Sequence, residues 1–261
     1  MKIAIAGCLG RMGLTLIDAV QADHVLTLVM GSEREGFNIT EAQTALAAHG
    51  AGNLHVTSDP HELAKKADAV IDFTSPEATL AVAEAVAKEG GIHIIGTTGF
   101  TPAQLKTLQQ YAKKACIVQS GNFSLGVNLV AKLCGLSASV LDASYDAEIY
   151  EMHHRHKKDA PSGTALMLGQ AVADARGVSL DEKKVTDHHG PRKQGDIGFS
   201  VARGGEVVGI HTVTFAGSHE VIEIKHQGFS RSIYAQGALH AARWAKGKKP
   251  GLYSMQDVLE L

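Results

Sequence analysis

What this 261-residue sequence lacks narrows it before any motif is read. No apolar run approaches the length needed to span a membrane. Met1-Lys2 leads straight into Ile-Ala-Ile-Ala-Gly, so no secretory leader is expected. The three cysteines, Cys8, Cys116 and Cys134, are too few and too scattered for a disulfide framework or a thiolate metal site, which fits a reducing cytoplasm. Net charge is also missing. Lys and Arg number 25 against 27 Asp and Glu, a formal −2, so no global field draws the chain to nucleic acid or a membrane surface. Any site for an anion has to be built locally. Apolar residues at 44% are ordinary for a globular protein with a buried core, and neither internal repeats nor low-complexity segments interrupt the chain.

What is there begins with alternation. Lys2 to Gly7 is a short apolar run ending in glycine, followed by an amphipathic stretch from Met12 to Val20: strand, tight turn, helix. Val25 to Met30, Ala67 to Phe73, Ile92 to Ile95 and Cys116 to Gln119 are further β-rich runs. Pro76 to Glu89 and Pro102 to Lys114 between them have helical composition, with proline at the first turn. Strands alternating with helices imply a parallel sheet covered on both faces. From about Ala143 the pattern becomes strand-rich. Ala147 to Met152, Ile197 to Arg203, Val207 to Phe215 and Val221 to Lys225 read as strands of a mixed or antiparallel sheet, with Gly204-Gly205 as a hairpin signal. The polar stretch Asp181 to Asp196 reads as a mobile loop in which His188 and His189 are solvated. Arg231 to Lys246 reads as a helix, and the tail from Leu252 is expected to pack back on the first half.

Two stretches carry chemistry. Gly7-Cys-Leu-Gly10-Arg-Met-Gly13 follows the first strand and opens the first helix, close to the G-x-G-x-x-G pattern except that Cys8 stands at the first glycine. Gly10 lets a pyrophosphate approach the backbone, and Gly13 lets helix and strand pack closely. Glu33, twenty residues past Gly13, can accept from ribose hydroxyls, and Arg34 can meet a 2′-phosphate; solvated loop charges are the competing reading for both, and for Arg34 they explain it equally well. The loops Gly96-Thr97-Thr98-Gly99 and Gly121-Asn122-Phe123-Ser124 follow later strands, where backbone amides can hold a nicotinamide and its ribose. A nicotinamide dinucleotide is the implied ligand.

The second stretch is Glu151-Met-His-His-Arg-His-Lys-Lys-Asp-Ala-Pro-Ser-Gly-Thr-Ala165, with three histidines and three cations in six consecutive residues. Ser162 reads as the N-cap of a following helix, whose free N–H groups and dipole favour an anion. Lys157 and Lys158 add full charge, and imidazoles transfer protons near neutral pH. The combination suits an anionic substrate that must also be protonated. The competing readings are a solvated basic loop and a metal site; adjacent His153 and His154 match no usual ligand spacing, so no metal is expected.

Taken in order, these two stretches together with Glu33-Arg34-Glu35-Gly36, Asp72-Phe-Thr-Ser-Pro76, Gly96-Thr-Thr-Gly-Phe100 and Asn122-Phe-Ser124 resemble the 4-hydroxy-tetrahydrodipicolinate (dihydrodipicolinate) reductase family over nearly the whole chain. The resemblance implies an α/β fold: an N-terminal Rossmann-type parallel sheet completed by the C-terminal tail, and an inserted mixed-sheet α+β domain for substrate and oligomer contacts. The implied boundaries are 1–124 with 234–261, and 125–233. It also implies an NAD(P)H-dependent oxidoreductase of the diaminopimelate route to lysine, with NADH, NADPH or both as cofactor, a small dicarboxylate substrate and a homotetramer. Carried over residue by residue, His153 is the expected proton donor and Lys157 the essential cation. His154, Gly163 and Thr164 hold the substrate carboxylates. Gly10, Arg11, Met12, Glu33, Arg34, Gly96, Thr98, Asn122 and Phe123 meet the dinucleotide. Lys158 departs from the family pattern, where many members carry an apolar residue. The rival readings are a different dinucleotide-dependent reductase, a non-enzymatic dinucleotide sensor, which would need no proton-transfer cluster, and a histidine-metal hydrolase.

Overall fold

Short apolar runs punctuated by glycine or proline fold into two compact units in a computed structural model that describes residues 1–186 and 189–261. His188 lies outside the described residues. The first unit comprises Met1–Ser124 with Arg231–Glu260, and the second Leu125–Ser230.

The first unit runs β1 (Lys2–Ala6), α1 (Arg11–Gln21), β2 (Thr27–Ser32), α2 (Ile39–Ala47), β3 (Val56–Thr57), α3 (Pro60–Lys66), β4 (Ala69–Asp72), α4 (Pro76–Glu89), β5 (Ile92–Ile95), α5 (Pro102–Tyr111) and β6 (Cys116–Gln119). The second unit follows with α6 (Leu125–Val140), β7 (Asp146–His153), α7 (Gly163–Ala175), α8 (Leu180–Lys183), β8 (Lys184–Val185), β9 (Ile197–Arg203), β10 (Gly209–Ala216) and β11 (Val221–Gly228). The chain then returns to the first unit with α9 (Ser232–Ala245), β12 (Gly251–Tyr253) and α10 (Met255–Leu259).

The first sheet has seven strands in the order β12-β6-β5-β4-β1-β2-β3, all paired in parallel. Alternation along β1 divides the core. Ile3 and Ile5 face α1 and α9, packing with Leu16, Ile17, Leu239 and Ala242, while Ala4 and Ala6 join Leu63, Val70, Val82 and Leu108 on the other face. Each such fully buried Ile or Leu contributes roughly 1.5–3 kcal/mol. Strand order reverses between β1 and β4, so the loops leaving those two strands diverge there, opening the crevice in which a doubly wound sheet holds its ligand. The tail does complete this sheet, since β12 pairs with β6, Leu252 opposite Ile117.

The second unit holds a mixed five-stranded sheet in the order β11-β10-β7-β9-β8. Its core is Val130, Cys134, Ile149, Leu168, Val172, Phe199, Val213 and Phe215, contributed by α6, α7 and the covered face of the sheet. Two expectations fail here. Gly204-Gly205 does not close a hairpin, because β9 and β10 are not neighbours and β7 lies between them, parallel to β9 and antiparallel to β10. The turn instead arches over the end of β7, where Gly204 N–H donates to the His153 carbonyl and Arg155 N–H to that of Gly205. Nor is Asp181 to Asp196 one loop. Its start forms α8 and β8, and Arg192 reaches back to the carboxylates of Asp146 and Glu148. Among the described residues no helix is long and apolar enough to cross a membrane.

Candidate active site

In the first unit the turn after β1 is shaped by two glycines. Gly7 takes φ +65°, a left-handed conformation that frees Cys8 to point inward, where it is fully buried against Gly31. Burial and the nearby Glu33 push the Cys8 thiol up to about 12, so it is an inert packing group. A Cβ on Gly13 would meet the Gly7 carbonyl oxygen at 2.2 Å and the Cys8 backbone at 2.7 Å, so only glycine lets α1 start this close to β1. Helix α1 carries neither a side-chain cap nor an acidic residue in its first turn, whereas Asn38, Asp59, Ser75, Thr101 and Ser162 cap α2, α3, α4, α5 and α7. Its positive end is therefore uncompensated.

A cavity of about 930 Å³ opens at this end of the sheet, lined among others by Gly7, Gly10, Glu33, Arg34, Phe37 and Thr74. Glu33 Oε2 accepts from Leu9 N–H at 3.4 Å and Oε1 from Arg34 N–H at 3.0 Å, so the carboxylate stands over the glycine turn. Exposed Gly10 leaves a side-chain-free cradle there. Size, uncapped helix end and facing carboxylate together fit a dinucleotide. Arg11, Met12 and Gly13 form the first turn of α1 beside the cradle. The other expected contacts sit differently. Phe123 is fully buried and packs against Phe73 with ring centroids 5.6 Å apart, so its side chain belongs to the core. A Cβ on Gly96 would strike the Phe73 ring at 2.1 Å, which is reason enough for a glycine. Thr97 is buried, its hydroxyl donating to Asp72 Oδ1 and accepting from Thr79, while Thr98 and Gly121 are exposed and Asn122 is buried.

In the second unit the polar groups converge at the end of β7. Residues 151 and 153 fall on the same side of the strand, His211 on β10 is in register with Glu151, and Arg203 on β9 with His153. The fully buried Glu151 carboxylate is the hub. Its Oε2 lies 2.5 Å from His153 Nδ1 and accepts from Arg203 Nη1 at 2.9 Å; its Oε1 accepts from Arg203 Nη2 and from Ser162 N–H, each at 3.0 Å. Burial alone would raise this carboxyl, but Arg203 and His153 outweigh it and hold it below the usual carboxylate range. Burial depresses the His153 imidazole, with Glu151 opposing and Lys157 and Arg203 reinforcing the shift. His211, buried edge-on to the His153 ring at 5.0 Å, is pushed down to about 4 and stays neutral.

Ser162 caps α7 by accepting from Ala165 N–H at 3.1 Å, and its hydroxyl lies 3.1 Å from His211 Nε2. Gly163 and Thr164 follow as the first turn of that helix, Gly163 exposed. Lys157 donates to Asp159 at 2.8 Å with its side chain only 20% exposed. His154 stands apart, its ring tilted against that of His156 at 6.2 Å. The structure thus brings His153, Lys157 and the start of α7 together, and adds three groups to which no role had been given: Glu151, Arg203 and His211. Glu151 opened the stretch singled out from sequence, two residues before His153, and that alternation was the available signal. Arg203 and His211 lie too far along the chain for spacing to reveal. Among the described residues no group of three His, Cys, Asp or Glu side chains comes together as a metal would require.

Comparison with known proteins decides the family. The model "Dihydrodipicolinate reductase, N-terminus" matches residues 1–123, and "Dihydrodipicolinate reductase, C-terminus" matches 126–259. The chain belongs to the dihydrodipicolinate reductase family. Membership makes it an NAD(P)H-dependent oxidoreductase. The 4-hydroxy-tetrahydrodipicolinate reductase of Dinoroseobacter shibae is 51% identical over 265 residues, covering 99% of this chain and 98% of the relative. That of Afipia carboxidovorans is 48% identical, covering 100% and 97%. In fold, the chain is similar to a dipicolinate-bound dihydrodipicolinate reductase from a Paenisporosarcina species, with TM-score 0.78, 23% identity and 97% coverage of both chains. A probable dehydrogenase from Thermotoga maritima has TM-score 0.65 at 14% identity, covering 99% of this chain and 92% of that one. A dinucleotide sensor without catalysis is not favoured among such relatives.

Proposed function

We propose that this chain reduces 4-hydroxy-tetrahydrodipicolinate to tetrahydrodipicolinate, with His153 as proton donor and Lys157 and the start of α7 as the grip on the two carboxylates. The observation that carries the reading is the convergence of a carboxylate-held imidazole, a half-buried lysine and a helix N-terminus at the end of one strand. A pocket for a dianion needs positive charge that the whole chain, at a formal −2, does not supply. Lys157 brings a full charge, and the Gly163 and Thr164 amides bring the helix dipole and N–H donors. His154 supports the same grip from the outside. Bound NADH or NADPH supplies the hydride.

The residues then have one further task, because adding hydride to a conjugated imine leaves an electron-rich nitrogen–carbon system that must take up a proton. His153 is the group suited to give it. In the free protein burial keeps its imidazole below the ordinary histidine value; two incoming carboxylates favour the charged ring, so substrate and proton arrive together. For the cofactor, Gly7, Gly10 and Gly13 with the Arg11 and Met12 amides hold the pyrophosphate, and Glu33 takes the adenosine ribose. Arg34 accommodates a 2′-phosphate, so both NADH and NADPH are accepted. Gly96, Thr97, Thr98, Gly121, Asn122 and the Phe123 backbone serve the nicotinamide end. We assign dinucleotide binding to residues 1–124 with the C-terminal return, and substrate binding and assembly to residues 125–233. Assembly into a homotetramer through that unit is proposed from the family resemblance. Three free, buried cysteines suit a cytoplasmic setting.

The decisive experiment follows NADH and NADPH oxidation while the cyclic dicarboxylate is generated in situ by its synthase. Consumption of at least one dinucleotide, dependent on that substrate, is the expected result; consumption of neither removes the proposal. Light scattering during gel filtration should return four times the 27.5 kDa chain mass, and a monomer mass rejects the assembly.

A further inference from the structure

We propose that Glu151, clamped by Arg203, is the positioning residue of this site: it fixes His153 as the Nδ1–H tautomer and, through the Ser162 amide, ties that ring to the start of α7. The inference rests on the reading of His153 as proton donor and concerns what makes it one.

The donors and acceptors allow one arrangement. An ionised carboxylate only accepts, and Glu151 takes four bonds, two on each oxygen: Arg203 Nη2 and Ser162 N–H on Oε1, Arg203 Nη1 and His153 Nδ1 on Oε2. The 2.5 Å contact with His153 therefore requires hydrogen on Nδ1. In the neutral ring Nε2 is then the bare nitrogen, the atom that picks up a proton and passes it on. The other groups facing His153 are Arg203 from β9, His211 from β10, and Lys157, itself paired with Asp159, from the loop beyond β7. Among the described residues only Glu151 is anionic and in contact with the ring.

Room at Nε2 is kept by a second feature. A Cβ on Gly209, the first residue of β10, would stand 3.1 Å from that nitrogen, so any side chain there would press on it. Arg203 makes the hub sustainable. A lone carboxylate at zero exposure is costly to keep ionised, and a bidentate guanidinium offsets that cost while leaving one lone-pair site on each oxygen for Ser162 and His153. One carboxylate thus sets the distance between the proton-transferring ring and the helix end that grips substrate.

The test is ¹⁵N-histidine NMR on the full-length protein, with the His153 signals assigned by their loss in His153→Gln. The wild type should show the Nδ1–H tautomer, and an Nε2–H tautomer overturns the proposal whether or not any variant folds. In Glu151→Gln the tautomer preference should be lost, because an amide offers one acceptor oxygen and sets its NH₂ against Arg203. The falling limb of kcat/KM against pH should move to lower pH, since the charge supporting the imidazolium is gone, and kcat should drop about 10- to 100-fold, part of a general acid's contribution. Dinucleotide affinity should not change, and Glu151→Asp should return the limb toward wild type. A uniform fall in activity with tautomer and limb unmoved marks Glu151 as a structural residue only and overturns the proposal. A wild type that shows the Nδ1–H tautomer yet consumes no dinucleotide rejects the reductase reading instead.

Discussion

Burial and the Glu151 charge pull His153 in opposite directions, and in the proposed mechanism the balance sets how the reaction responds to pH. In the free protein desolvation wins and the imidazole lies below the ordinary histidine value. In the role proposed for His153 the protonated ring is the competent acid, so kcat/KM, which reports the free protein, should fall as pH rises through that depressed value. A bound dianion favours the imidazolium, so the corresponding limb in kcat should stand at higher pH. Coincident limbs in the two profiles would contradict the coupling of substrate to proton. His153→Gln should cost roughly two to four decades of rate, the range of a general acid, and near-normal turnover would reject the role. Lys157→Ala should raise KM and lower kcat while dinucleotide affinity, measured by titration without substrate, stays put. At this scale the sequence was informative where chemistry is local: 153, 157 and 162–164 are neighbours along the chain. Arg203 and His211 reach the same spot only through strand register, fifty or so residues on, and nothing in their own surroundings marks them.

Elements were legible where a single period dominates. The β–turn–α start, the proline-opened helices α4 and α5, and helix α9 all stand where composition put them. Helix α6 was missed, since its mostly apolar run Leu125–Val140 shows little of the two-faced pattern that announces a helix. The hairpin failed for another reason: a Gly-Gly pair reports that the chain turns, not which strand lies beside it. The turn at Gly7–Gly13 gives this scale its test, because its two later glycines serve different ends. A Cβ at 13 strikes backbone at 2.2 Å, which cannot move without separating α1 from β1. Gly13→Ala should therefore cost on the order of 1–3 kcal/mol in urea unfolding, as overpacking does. Gly10 has φ −70°, ordinary for alanine, and its Cβ would meet only the Gly7 carbonyl oxygen at 3.3 Å. Gly10→Ala should keep most of the stability yet weaken NADH binding by filling the cradle. Equal effects of the two variants on unfolding would refute this division of labour.

At the scale of the molecule, the first unit is made of two pieces of chain separated in sequence by the second unit, and residues 251–260 are part of its fabric. Strand β12 supplies the partner that keeps β6 from being an edge, pairing Gly251, Leu252 and Tyr253 with Cys116, Ile117 and Val118. Helix α10, held by a capping box between Ser254 and Asp257, sets Met255 and Val258 into the same core as Leu16 and Leu239 with 1% and 3% of their surface exposed. The family resemblance implied that this tail completes the sheet, but residue patterning did not locate the strand, since three residues are too few for a period-2 signal. Removing residues 251–261 gives up two buried side chains worth roughly 1.5–3 kcal/mol each. It also bares a parallel strand edge that offers unpaired N–H and C=O groups to other chains. Against a typical total stability of about 5–15 kcal/mol, that loss should lower the unfolding temperature of the first unit by many degrees, promote aggregation and abolish dinucleotide binding. Differential scanning calorimetry with and without NADH measures both effects. A truncated chain that unfolds at the wild-type temperature and is still stabilised by NADH would show that the tail only decorates a sheet already complete without it.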